Sequence, residues 1–209
     1  MKLSRKQLRR IILENLLNEK PKPKTTKKIE GTPNVLFVGD SQTVYMGNIG
    51  YADLVLRNEN FTGKKRAKNG APLEAIAGFL EQEIAKDKYD IISIMGGGNS
   101  AHKTKPPYHL YDQMYDMAKD HGAIVVAITN PTKKNLAQEK RKKYPSNEKL
   151  ADYVRKNSKP DIIIDANKLF VAPKHFPDNG IKNPHINRAA QKSLYEVWIK
   201  KVTEYEDAG

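Results

Sequence analysis

Val35-Leu36-Phe37-Val38-Gly39-Asp40-Ser41 sets four consecutive apolar residues directly against a glycine, a carboxylate and a serine. A strand buried on one face alternates apolar and polar side chains. An unbroken apolar run instead suits a strand covered on both faces, as in a parallel sheet between two helical layers. Three later stretches repeat the pattern: Ile91-Ile92-Ser93-Ile94-Met95, Ala123-Ile124-Val125-Val126-Ala127-Ile128 and Asp161-Ile162-Ile163-Ile164. Helical periodicity fills the intervals. Residues 72–86 bring Leu73, Ile76, Ala77, Leu80 and Ile84 to one face, and residues 108–121 and 146–157 form further helices. The last helix, over about 187–203, carries Ala190, Leu194, Val197, Trp198 and Val202 as its apolar stripe. A short strand around Arg66 is the least marked element. Strand–helix alternation of this kind predicts an α/β domain with a central parallel sheet.

Outside that domain the character of the chain changes. Residues 3–19 read as a basic amphipathic helix, with Leu3, Leu8, Ile11, Ile12 and Leu16 at helical spacing among Arg5, Lys6, Arg9 and Arg10. The stretch that follows, Lys20-Pro21-Lys22-Pro23-Lys24, suits an extended linker, because prolines and repelling lysines both oppose compaction. The expected organisation is therefore a basic helix over 1–19, a Lys/Pro linker over 20–31, a domain over 32–204 and a tail over 205–209. A length of 209 residues suits one medium domain with a real core rather than two.

Composition removes several classes of chemistry. The chain has no cysteine, which excludes a disulfide framework, a thiolate zinc site and a cysteine nucleophile. No regular metal-ligand spacing joins the five histidines, so no metal site is expected. No apolar run approaches the roughly 20 residues of a membrane span, and Glu14 and Asn15 break the apolar stretch near Ile11 that a secretory signal would need. The net charge of +13 is concentrated: residues 1–30 hold ten Lys/Arg against three Glu, and residues 133–143 hold six Lys/Arg against Glu139. Only Tyr144 borders those lysines, so non-specific, salt-sensitive contact with nucleic acid is expected and sequence-specific recognition is not.

In an open parallel sheet, ligands bind beyond the carboxyl ends of the strands. There Ser41 follows the first strand directly, among backbone N–H groups suited to an oxyanion, although Asp40 and Ser41 also make a plain helix cap. The second long apolar strand ends in Gly96-Gly97-Gly98-Asn99, where the Asn99 amide can donate to the same oxyanion or simply cap a turn. A dinucleotide fingerprint there would need a helix that Pro106 and Pro107 leave little room for. Between these loops, Asn69-Gly70-Ala71-Pro72 offers the Gly70 N–H, and alone reads as a turn with proline at a helix start. His185 lies in a loop just ahead of the final helix and is the natural candidate base for a serine nucleophile, although a lone loop histidine is more often simply exposed to solvent.

Ser41, Gly70, Asn99 and His185 follow the order of the conserved blocks of the SGNH (GDSL-like) hydrolases, which this chain resembles over about residues 33–202. Val35 to Ser41 resembles the first block, Asn69-Gly70 the second, Gly97-Gly98-Asn99 the Gly-x-Asn of the third, and His185 the last. The resemblance implies a flavodoxin-like three-layer α/β/α fold. It also implies ester or acetyl-ester hydrolysis without a cofactor, with Ser41 as nucleophile, His185 as base, and an oxyanion hole from Ser41, Gly70 and Asn99. Small acyl esters, above all acetylated glycans, are the implied substrates.

The pattern departs from the family at two places. Ser100 stands where an aspartate usually follows the asparagine. Lys182 stands three before His185, where the family has its acid, and Asp178 lies seven before it. Either Asp178 orients the imidazole across an insertion, or a backbone carbonyl does so and leaves a Ser–His dyad. Residues 1–19 also resemble N-terminal segments of phage structural and virion-associated proteins. That implies a docking helix for a protein or particle; a membrane-surface helix or a partnerless basic helix suits the same residues. The competing class is an SGNH-fold module retained for binding.

Overall fold

A computed structural model describes residues 29–45, 49–101, 105–131, 145–170, 174–176 and 185–208, with the side chains of 145–147 left aside. The predicted 1–19 helix and most of the 20–31 linker lie outside the described residues, as does the lysine-rich 133–143 segment.

Five parallel strands form the sheet: β1 (Asn34–Gly39), β2 (Thr62–Ala67), β3 (Ile91–Met95), β4 (Ile124–Ile128) and β5 (Ile162–Ile164), in the order β2-β1-β3-β4-β5. The helices are α1 (Ser41–Val44), α2 (Tyr51–Leu56), α3 (Leu73–Ile84), α4 (His109–Asp120), α5 (Pro145–Lys156), α6 (Ala166–Leu169) and α7 (Arg188–Asp207). The α/β class and the parallel sheet are as the apolar runs predict.

The sheet has two separate cores, which is why its strands read as continuous apolar runs. Successive side chains of a strand point to opposite faces. Val35, Phe37, Ile91, Met95 and Val126 pack on one face with α2 and α7, where Trp198 sits against Phe37 and Phe61. Leu36, Val38, Ile92, Ile94 and Val125 pack on the other with α3, α4 and α5. Ser93 is the one hydroxyl in the five residues of β3. It accepts the Trp198 indole N–H at 3.2 Å, so burying both polar groups leaves neither unpaired.

Three elements differ from the sequence reading. The strand around Arg66 is a full six-residue edge strand, Thr62-Gly63-Lys64-Lys65-Arg66-Ala67, paired along its length with β1. Helix α2 carries no periodicity long enough to betray it. The terminal helix runs to Asp207 rather than ending near 203, so residues 205–207 continue it instead of forming a tail; at the other end Ile29 packs on the core ahead of Thr32.

Candidate active site

Strand order puts a topological switch at β1. The chain leaves β1 toward β2 on one side, and β3 lies on the other. By the general rule for open parallel sheets, the crevice that takes a ligand is expected where the loops leaving β1 and β3 part at the carboxyl edge. Ser41 begins the first of these loops and Gly97-Gly98-Asn99 forms the second.

Asp40 joins them. It is the N-cap of α1, accepting the Gln42 N–H at 3.0 Å, and the backbone N–H groups of Gly97 and Gly98 lie near enough to its carboxylate to favour the charged form. Its own N–H donates to the Met95 carbonyl at 3.3 Å. The side chain is 2% exposed, and burial pushes its pKa up to about 6 against the pull of those backbone donors. The capping reading of Gly-Asp-Ser is therefore right for Asp40. Ser41 is half-buried at the first position of α1.

The second and third predicted positions also meet. The Asn99 amide donates to the Ala71 carbonyl at 3.1 Å, beside Gly70. Gly70 takes φ +72, with open space where a Cβ would stand. Gly97 takes φ +104, and a Cβ there would lie 2.3 Å from the Tyr111 hydroxyl, which itself donates to the Gly96 carbonyl. Ser100, where the resemblance leads one to expect aspartate, is fully buried; its Oγ accepts the Leu73 N–H at 2.8 Å and caps α3. A hydroxyl thus fills the acceptor role that a carboxylate would fill, and the turn carrying Gly70 is pinned to the loop carrying Asn99.

His185 is half-buried just ahead of α7. Ile186 anchors the loop in the core, and Asn187 caps α7 by accepting the Ala190 N–H at 2.9 Å. The backbone N–H of Asn187 donates to the His175 carbonyl at 2.8 Å, and its side-chain amide to the Lys174 carbonyl at 2.9 Å. Six residues beyond His185, buried Gln191 reaches the nucleophile side. Its Oε1 accepts the Tyr51 N–H at 2.9 Å and its Nε2 donates to the Gln42 carbonyl at 3.4 Å. The helix that follows His185 is in this way tied to the turn that follows Ser41. Asp178 and Lys182 lie outside the described residues.

On the other side of the crevice, Asp165 after β5 accepts from the Thr129 hydroxyl at 2.9 Å and from Arg155 Nε at 2.8 Å, tying the ends of β4 and β5 to α5. Asp40, Gln191 and Ser100 were not singled out as parts of the site from the sequence. Asp40 carried a signal, a carboxylate just after a buried strand, and Ser100 was marked only as a departure from the third block; Gln191 has only its burial, which a sequence does not display. Among the described residues no group of three or more His, Asp or Glu side chains is arranged to hold a metal, and no helix is long and apolar enough to cross a membrane.

This architecture recurs among solved structures. A variant of an acetyl-xylooligosaccharide esterase from Geobacillus stearothermophilus superposes with a TM-score of 0.65 at 16% identity, covering 84% of this chain and 96% of that one. A lipase/acylhydrolase from Enterococcus faecalis gives 0.64 at 17% identity, over 81% of this chain and 95% of the other. A lipolytic G-D-S-L family protein from Veillonella parvula gives 0.60 at 15%, over 81% and 98%. The shared feature is the fold. At these identities the likeness extends no further than the backbone architecture. No family model and no curated protein matches the sequence.

Proposed function

We propose that this chain is a serine esterase of the SGNH (GDSL-like) type that hydrolyses small acyl esters, acetyl groups on a carbohydrate above all. The observation that carries the reading is the buried Asp40 carboxylate. With its N–H on the Met95 carbonyl at 3.3 Å and its carboxylate beside the Gly97 and Gly98 N–H groups, Asp40 holds the start of the Ser41 turn against the end of β3, which supports Ser41 and Asn99 acting together as nucleophile and amide donor. The three solved structures named above, an acetyl-xylooligosaccharide esterase, a lipase/acylhydrolase and a G-D-S-L protein, support the same reading through their shared fold.

In the proposed reaction His185 takes the Ser41 hydroxyl proton as Oγ attacks the ester carbonyl carbon. The oxyanion that forms accepts from the Ser41 and Gly70 backbone N–H groups and the Asn99 amide. Collapse breaks the ester C–O bond, and His185 returns the proton to the departing alcohol. Water then attacks the acyl-serine with His185 again as base, releasing the acid and restoring Ser41. Asp178 orients the imidazole in this scheme. Residues 1–19 serve as a docking segment for a protein or particle surface, joined to the domain by the 20–31 linker.

The deciding experiment is p-nitrophenyl acetate hydrolysis with parallel fluorophosphonate labelling, on the wild type and on Ser41→Ala. Turnover and labelling in the wild type, both lost in a variant of unchanged melting temperature, are the expected result. A wild type that neither turns over nor labels would make the chain a hydrolase fold retained for binding.

A further inference from the structure

On the outer surface of α4 and α5, away from the crevice, lies an open groove of about 620 Å³. Small-molecule clefts span about 300–1,000 Å³, so its size suits a ligand of several rings. Its floor is aromatic. Half-buried Tyr108 and Tyr153 lie with ring centroids 5.1 Å apart and planes tilted by 32°. The polar groups of the floor are fixed in advance. Asp112 accepts the Tyr153 hydroxyl, and it accepts the Asn157 amide at 2.6 Å. Burial first, and Asp112 beside it, push the Tyr153 pKa up to about 12, so the phenol stays protonated.

The groove is lined by three lysines, Lys149, Lys156 and Lys159, against two aspartates, Asp112 and Asp152. Asp152 is held by Arg155 at 2.6 Å, and Asp116 holds Lys159 at 2.5 Å. Lys149 and Lys156 are exposed on the rim, and neither forms a salt bridge with a carboxylate among the described residues. Aromatic faces suit the apolar faces of sugar rings, fixed amide and carboxylate groups suit their hydroxyls, and the two ammonium groups favour anions. The groove also connects to the proposed site by a single side chain. Tyr111 donates its hydroxyl to the Gly96 carbonyl in the β3 loop, and its ring lies 6.3 Å from that of Tyr153.

We infer that this groove binds an acidic oligosaccharide, its rings on Tyr108 and Tyr153 and its carboxylates on Lys149 and Lys156. The inference rests on the carbohydrate-esterase reading. It extends that reading to uronic-acid-bearing glycans, held on the flank of the domain while an ester is cleaved at the crevice.

The test uses full-length Ser41→Ala protein, with oligogalacturonate and neutral xylo-oligosaccharides as titrants in calorimetry at low and at moderate salt. Oligogalacturonate is expected to bind more tightly than the neutral sugar, and more weakly as salt rises. Adding Lys149→Gln and Lys156→Gln together should weaken it about tenfold, as the loss of two solvent-exposed charge contacts predicts. Tyr108→Ala, which leaves the charge unchanged, should weaken it several-fold. The double lysine change made in the active protein should leave p-nitrophenyl acetate hydrolysis as it was. Unaltered oligogalacturonate affinity in either variant, or equal affinity for neutral and acidic sugars, overturns the inference, as does single-stranded nucleic acid displacing the sugar from these lysines. Binding is read in a protein lacking the nucleophile. Failure of the esterase reading therefore shows in the p-nitrophenyl acetate assay and failure of the groove in the titration.

Discussion

The side-chain amide of Gln191 donates to the backbone carbonyl of Gln42 at 3.4 Å, binding the helix that follows His185 to the turn that follows Ser41. The same amide accepts the Tyr51 N–H through its oxygen, so one fully buried residue satisfies groups on two other elements. Gln191→Leu fills similar space and strands both partners. A buried polar group left unpaired costs about 1–3 kcal/mol, and a loss of that size in urea unfolding is expected. Under the proposed mechanism kcat for p-nitrophenyl acetate should also fall more than KM rises, because the base and nucleophile lose their common support. An unchanged unfolding midpoint would show that the bridge is dispensable.

Asp40 gives a pH signature with a defined sign. Its folded pKa of about 6 stands above the ordinary aspartate value of 3.8, so between those values the folded state holds more protons than the unfolded one. Its contribution is fully present below about pH 3.8 and is lost as pH rises through 6. The span corresponds to a contribution on the order of 3 kcal/mol at 1.36 kcal/mol per unit. Comparing urea unfolding of the wild type and Asp40→Asn between pH 4 and 7, the variant should lack this downward slope. Parallel curves would show that the carboxylate titrates at its ordinary value.

Ser100 caps α3 through the 2.8 Å contact with the Leu73 N–H. Ser100→Ala removes the acceptor and should cost about 0.5–2 kcal/mol, the range for lost helix caps. Thermal melting reads this directly.

Two glycines of the loops around the candidate site should respond differently to alanine. At Gly97 a Cβ meets the Tyr111 hydroxyl at 2.3 Å on top of a positive φ, so Gly97→Ala should disrupt the β3 loop and abolish activity. At Gly70 only the backbone strain applies, about 1–2 kcal/mol for a left-handed non-glycine residue. Gly70→Ala keeps the N–H, so hydrolysis should persist at a lowered melting temperature. Equal losses in the two variants would contradict this assignment of cause.

The fold was legible where burial dictates composition. β1, β3 and β4 are covered on both faces and admit almost nothing polar, and α3 and α7 are long enough for their apolar stripes to recur. β2 was obscure because an edge strand facing solvent needs no apolar alternation. Its Lys65 pairs with Asp53, and its Lys64 and Arg66 with Glu83, which no local pattern reveals. Helix α2, at six residues, is too short to complete two turns. In the candidate site Ser41, Gly70 and Asn99 were legible because strand ends and turns mark them. The bridges that hold those loops, through Asp40, Gln191 and Ser100, were not, because each depends on a partner distant in the chain.

The composition of β2 bears on how this molecule behaves in a crowd. Among the described residues its outer edge pairs with no other strand, an invitation to a strand from another copy. A second β2 would bring three cations against three, offset only in part by the carboxylates of Asp53, Glu83 and Asp87 that pair with them. The opposite edge, β5, is only three residues long and offers little to pair with. Both flanks of the sheet thus resist edge-to-edge stacking, so concentrated protein should remain dispersed at low ionic strength and lose part of that protection as salt screens the lysines.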